Sequence, residues 1–416
     1  MSLQKKIIFI SHWRGHTFHF MECVLPYFLK RGYVVYHLTD KPEEAERFLR
    51  ERVDYGNGRI EHLGMETVEP ESPSRRKDAH HCSVEAHWKG VQFALEKLYS
   101  RLGRKVGIFH TWVDLYSHEY LSRRVIEEAM PAPWCGLYVH PAELRIYKTW
   151  KRRLYENGRD YLKRGRMFPC RLRAFDVPNA KRIYFLDELL LGKVRNYFRS
   201  AISLAAFPEW IDSNIARNFA ELEKISKLAG DRKIISLCGF LSKRKGLITL
   251  LQAAKSDLDG WFFIFAGPID WESFSGTEKS MIQEAQAQSG FNCAFMDRQL
   301  QDFEINSIVQ RSDLIYLAYE NFFHSSNVQV KAAFFGKPMI AGPQHLIAER
   351  TRRFDMGWCL PEISKEQLVA LLAQLEQGEL QAMQQAARFQ DFVSQHSPEK
   401  LEQALKEISV CVKMAA

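Results

Sequence analysis

Twice in this chain, at residue 5 and again at residue 232, a basic pair runs straight into an unbroken apolar stretch: "KKIIFIS" and "RKIISLC". Each is followed by a glycine-containing loop, a helix with apolar periodicity and a further apolar stretch. A strand with no polar alternation is buried on both faces, as in parallel sheets covered by helices. After the first opening come "YVVYHLT", a helix near 91–102 closed by Gly103, and the strands "VGIFH" and "GLYVH". After the second come "GWFFIFAG", "FNCAFM", "DLIYLAY" and "PMIAG", with helices between them. The fold class expected is α/β, with two doubly wound Rossmann-like domains facing across a cleft. A length of 416 residues also suits two domains better than one. The turn-rich "AAFPEWIDSN" places the boundary at Pro208. That gives an N-terminal domain 1–207, a C-terminal domain 208–395, and a closing helix 396–416 expected to pack back on the first domain.

No apolar run approaches the ~18–20 residues a membrane span needs. The eight cysteines form no C-x-x-C pair, which suits free thiols in a reducing compartment, so the expected location is cytoplasmic. The net charge of +8 is concentrated: between Lys148 and Arg173 ten Lys/Arg face two acids, Glu156 and Asp160. Trp150, Tyr155, Tyr161 and Phe168 are interleaved with them. Such a stripe suits an anionic acceptor or the inner face of an acidic membrane, at about 1 kcal/mol per basic residue. It equally suits a solvated basic helix. No nucleic-acid-binding motif accompanies the charge, so nucleic acid is not an expected partner.

Ligands of open parallel sheets bind outside the carboxyl ends of the strands. The candidates are therefore the residues just after each strand. In "GFLSKRKG", Gly239 lets a phosphate approach the backbone and Lys245 can neutralise it. In "HSSNVQVKAAFFG", Ser325, Ser326 and Asn327 are placed to cap a helix whose free N–H groups, through Val328, favour an anion. His12, Arg14, Gly15 and His16 follow the first strand, while His110 and His140 end later ones. His110 reads equally as a satisfied core histidine. "HHCSVEAH" at 80–87 lacks the two spaced ligand pairs of a closed zinc site, so no metal is expected. "DLD" at 257–259 precedes a strand and so lies at the wrong sheet edge for a site.

The order of these features resembles the GT-B glycosyltransferases, specifically the large retaining family of bacterial sugar transferases. The series runs from the first glycine loop and "LKRGYVVYHLT" through "PEWID", "GFLSKRKG", "FAGP" and "RSDLIYLAYE" to "AAFFGKPMIAG". The resemblance implies a nucleotide-sugar donor, a hydroxyl acceptor, retention of configuration, and neither metal nor cofactor; the basic aromatic stretch points to a glycan or lipid-linked acceptor. It implies that Lys245 contacts the donor diphosphate, that His140 stands beside the donor sugar, and that the His12–His16 loop lines the acceptor side. Three positions depart from the family. Phe240 stands where the family has arginine, and Phe323 and Lys331 stand where it has two glutamates. Lysine cannot accept a hydrogen bond from ribose. Lys243 or Arg244 can stand in for the arginine and Glu320 for the first glutamate, while Lys331 could reach a phosphate or an acidic sugar. Two rival readings remain: a sugar-nucleotide epimerase of similar architecture, and a degenerate GT-B protein that binds an anionic glycan or membrane without catalysis.

Overall fold

The computed structural model describes residues 4–13, 17–65, 76–103, 105–117, 121–139, 172–209, 211, 213–256, 258–287, 292–375 and 379–413. Arg14, Gly15, His16, His140 and residues 148–171 of the basic segment lie outside the described residues, as do the side chains of His80, His81 and Cys82. The chain forms two compact units. Unit 1 comprises Met1–Pro208 with Pro398–Ala416, and unit 2 comprises Glu209–Ser397.

Among the described residues, unit 1 has seven strands: β1 Lys6–Ser11, β2 Val34–Thr39, β3 Arg59–Gly64, β4 Ile108–His110, β5 Trp134–Tyr138, β6 Ala180–Phe185 and β7 Ser203–Ala206. They pair in the order β3-β2-β1-β4-β5-β6-β7, all parallel. The continuous apolar run of β1 is explained by its place: Ile7 to Ile10 are fully buried between helix layers. Helices α1 Thr17–Leu29, α2 Pro42–Arg52, α3 Arg76–Leu102 and α4 Arg123–Ala129 connect the strands. The apolar spacing carries α1 through Pro26 to Leu29.

Unit 2 repeats the plan with six strands among its described residues: β8 Lys233–Cys238, β9 Trp261–Ala266, β10 Cys293–Met296, β11 Leu314–Leu317, β12 Met339–Ala341 and β13 Gly357–Cys359. Their order is β10-β9-β8-β11-β12-β13, again all parallel. Its helices include α5 Ala220–Ala229, α6 Leu247–Ala254, α7 Gly276–Gln286, α8 Asp302–Arg311, α9 Asn327–Phe334, α10 His345–Arg353 and α11 Lys365–Gln374. Helix α12, Pro398–Lys413, returns to unit 1 and packs on β4, β5, β6 and α1. In both sheets the order in which strands are added switches sides at the first strand, between β1 and β4 and between β8 and β11. That reversal of order opens a crevice at the carboxyl edge, where open α/β sheets bind ligands.

Candidate functional site

At the unit 2 reversal, β8 ends at Cys238 and the backbone turns sharply. Gly239 takes φ +90° and Gly267, after β9, takes φ +133°. A Cβ on Gly267 would lie 2.1 Å from the Gly239 carbonyl oxygen, so the two loops touch backbone to backbone. We expect Gly267→Ala to cost about 3 kcal/mol through overpacking and strained φ, read as a lower urea midpoint with unchanged slope. An unchanged midpoint would show that the two loops do not need this contact.

The tight turn brings Lys245 back over the strand end. Its ammonium donates to the Cys238 carbonyl at 2.8 Å and lies 5.3 Å above the Tyr319 ring. Burial, against a smaller opposing effect from Cys238, lowers its pKa from 10.5 to about 8. Arg244 follows the neighbouring loop. Its carbonyl accepts the Glu320 N–H at 2.7 Å, and its guanidinium lies 4.8 Å over the Phe322 ring. Burial also lowers the Arg244 pKa. Phe240, 56% exposed, lines a cleft of about 490 Å³ within this unit together with Ser242, Lys243, Arg244, Asp270 and Glu320. Lys243 turns toward α7, pairing with Glu278 at 2.6 Å. Of the two candidate replacements for the missing arginine, Arg244 is therefore the one not drawn to a carboxylate by the described contacts.

The second loop, after β11, corrects two expectations. Ser325 does not cap α9: its hydroxyl donates to the Glu209 carboxylate and accepts from Arg350. Ser326 occupies the N-cap position with no side-chain cap bond, and Asn327 is the first helical residue. The free groups of this helix start are thus backbone N–H donors of its first turn, including Asn327 and Val328. Lys331 does not reach toward an anion at the loop. It is 2% exposed, its ammonium donates to Asn306 Oδ1 at 2.7 Å, and Asp302 Oδ1 is 3.5 Å away. A buried ammonium needs such partners, and these fasten α9 to α8.

In unit 1, His12 and His110 come together at the β1–β4 reversal, as the strand-end rule expects, but within the wall rather than on its surface. They are 2% and 1% exposed. His12 packs 4.7 Å from the His87 ring and 4.5 Å from Tyr116, with Nδ1 3.6 Å from Asp40 Oδ2. Burial pushes the Asp40 carboxyl up, but hydrogen bonds from His12 and the Trp13 N–H (2.7 Å) outweigh it and hold the group below its ordinary value. His110 Nδ1 accepts the Trp112 N–H at 3.2 Å, and burial drives its pKa to about 3. A second buried chain links Ser11 Oγ to His37 Nε2 at 2.6 Å and His37 Nδ1 to His62 Nδ1 at 3.0 Å. Asp40 directly follows β2, so the same strand-end rule applied to that strand would have found it. His62 and His87 lie within an edge strand and a helix and gave no such signal.

Residues 218–391, most of unit 2, match the family model of the glycosyl transferases group 1. The chain has the GT-B fold, and its second unit carries a glycosyl transferases group 1 domain. No curated protein matches it. Among solved structures, the chain aligns with an alpha,alpha-trehalose-phosphate synthase (UDP-forming) from Burkholderia vietnamiensis at 12% identity and TM-score 0.65, covering 99% of each chain. It aligns with Anabaena Alr3699/HepE in complex with UDP-glucose at 14% identity and TM-score 0.61, covering 97% of this chain and 98% of that one. A UDP-N-acetylglucosamine 2-epimerase structure from Listeria monocytogenes shares the fold more distantly, at 10% identity and TM-score 0.56 over 93% and 92% of the chains. At such identities these likenesses carry the fold alone. Among the described residues, no helix is long and apolar enough to cross a membrane.

Proposed function

We propose that the protein moves a hexosyl group from a nucleotide-sugar donor, held at the carboxyl edge of the unit 2 sheet, to a hydroxyl of a glycan or lipid-linked acceptor. The observation that carries this reading is Lys245: a half-buried ammonium over a glycine turn, at the sheet reversal of the domain that matches the family. The Anabaena neighbour, crystallised with UDP-glucose and with UDP and glucose, supports a nucleotide-sugar donor.

In this reading Lys245 and Arg244 neutralise the leaving diphosphate, with the first-turn amides of α9 as further donors, so neither metal nor cofactor is required. Phe240 and Glu320 flank the donor sugar and Gly239 admits the phosphate close to the backbone. Following the resemblance, the donor phosphate oxygen takes the acceptor proton on the same face, and configuration is retained. By the same resemblance His140 would stand beside the donor sugar and the His12–His16 loop with His110 would line the acceptor side, where His12 and His110, both buried, could only support its wall. The basic aromatic segment 148–173 holds the protein at the anionic cytoplasmic face of a membrane, where a polysaccharide or glycolipid intermediate would be presented.

The test is a thermal-shift panel with UDP, GDP, ADP, CMP and dTDP, followed by incubation of the preferred nucleotide's sugars with and without acceptor. A nucleoside diphosphate at 100 times its Kd should stabilise the wild type by about 2.7 kcal/mol. No shift with any nucleotide would favour the binder without catalysis. Conversion of the donor sugar with no acceptor present would replace transfer by epimerisation. Product anomeric configuration, read by NMR coupling constants, decides retention.

A further inference from the structure

Glu209 and Arg350 were not singled out by the sequence, yet they make the most completely buried ion pair near the α9 turn. Arg350 is fully buried, and the Glu209 side chain is 12% exposed. Arg350 Nη1 donates to Glu209 Oε2 at 3.0 Å. The Ser325 hydroxyl closes a triangle with them, donating to the same carboxylate oxygen and accepting from the same guanidinium nitrogen. The Glu209 N–H also donates to His396 Nδ1 at 3.0 Å. The chain enters unit 2 at Glu209 and leaves it at Ser397, so one residue ties the entering segment, the leaving segment and the α9 turn together.

The chemistry of this triangle argues for positioning. A buried ion pair adds little net stability over a well-packed apolar pair of the same size. What it supplies is direction, since each bond tolerates little displacement. The single Ser325 proton is spent on Glu209, so this hydroxyl has none to give a phosphate. Its influence on an anion at the turn must run through where it holds the backbone amides. We propose that Glu209 is a positioning residue of the donor site, fixing the Ser325–Val328 turn through Ser325 and Arg350; this rests on the donor reading given above.

The experiment measures binding of one nucleoside diphosphate, the best of the panel, and of its parent nucleoside by titration calorimetry. The proteins are wild type, Glu209→Gln, Ser325→Ala, and the double variant. We expect each single change to weaken the diphosphate about tenfold, since small misplacements of binding groups are costly, while leaving the nucleoside unchanged. The double variant should be no weaker than either single change, because both cut the same tie. Losses that add would mean Ser325 touches the phosphate itself, which overturns the proposal. Equal losses for nucleoside and diphosphate would mean general damage, which also overturns it. Should Glu209→Gln fail to fold, Glu209→Met with Arg350→Met replaces the pair by apolar side chains, keeps Ser325, and must show the same diphosphate-specific loss. Absence of nucleotide binding by the wild type would overturn the donor reading itself. Normal wild-type binding with unchanged variants would overturn only the role of Glu209.

Discussion

Lys245→Ala should lower kcat/KM for sugar transfer by about 10²–10³, the range measured when one preorganised donor to a developing negative charge is removed. The expectation follows from where the ammonium stands. It is fixed over the strand end by the Cys238 carbonyl at 2.8 Å, above the Tyr319 ring, in a site dry enough to lower its pKa to about 8. A charge so placed meets the diphosphate with little reorganisation. Arginine should not rescue it. A Cβ on Gly239 would already lie 2.8 Å from the lysine nitrogen, so the space at the turn suits a single ammonium and not a planar fork. The depressed pKa adds a pH signature. The diphosphate binds the protonated lysine, so affinity in the wild type should be flat below pH 8. Above it, affinity should fall about tenfold per pH unit until the bound group itself titrates. Lys245→Ala should abolish that fall. If instead the variant lowers thermal stability but leaves kcat/KM within about threefold, the lysine is only covering the strand end.

Acid should disassemble unit 1 well before it reaches the carboxylates. His37 and His110 are buried and neutral, and burial sets both pKa values at about 3 against 6.5 for the free side chain. His62 beside His37 and His12 beside His110 lower them further, while Asp40 partly opposes this at His37. Between pH 6.5 and 3 the unfolded chain therefore binds two protons that the folded chain refuses. Stability contributed by these groups is whole above pH 6.5 and is lost as pH falls, at about 1.4 kcal/mol per histidine per pH unit. Two units of acidification cost about 5 kcal/mol by this route, comparable to the whole stability of an ordinary domain. Circular dichroism against pH should show a first transition above pH 4. Histidine NMR should show two imidazoles that stay neutral until that transition. Imidazole signals that all titrate near 6.5 in the folded protein would remove the prediction.

Much of the fold was legible because its central strands are unbroken apolar runs. β1, β8 and β9 announce themselves, and helix α11 is capped by Ser364, whose hydroxyl accepts the Gln367 N–H. The edge strand β3 did not, since "RIEHLG" carries charges at a sheet margin where one side meets solvent. Strand-end logic found Lys245, Arg244 and the α9 turn, because position along a doubly wound sheet follows from sequence order alone. What side chains do there did not follow. Ser325 and Lys331 read as available for an anion. Their partners, Glu209 and Arg350 in one case and Asn306 and Asp302 in the other, come from segments distant in sequence or spaced without any motif. Phe240, expected after a strand end, is exposed and lines the unit 2 cleft.

The return of α12 to unit 1 has a genetic consequence. A Cβ on Gly107, just before β4, would lie 2.4 Å from Val412, and the Tyr184 hydroxyl of β6 donates to the Ala404 carbonyl. A nonsense codon near position 398 would therefore spare every strand of the C-terminal half and strip the opposite half of a helix from its sheet. Frameshifts late in the reading frame should behave as lesions of the first domain. Neither domain can be expressed as a simple prefix or suffix of this sequence: an intact first unit needs Pro398–Ala416 joined back on.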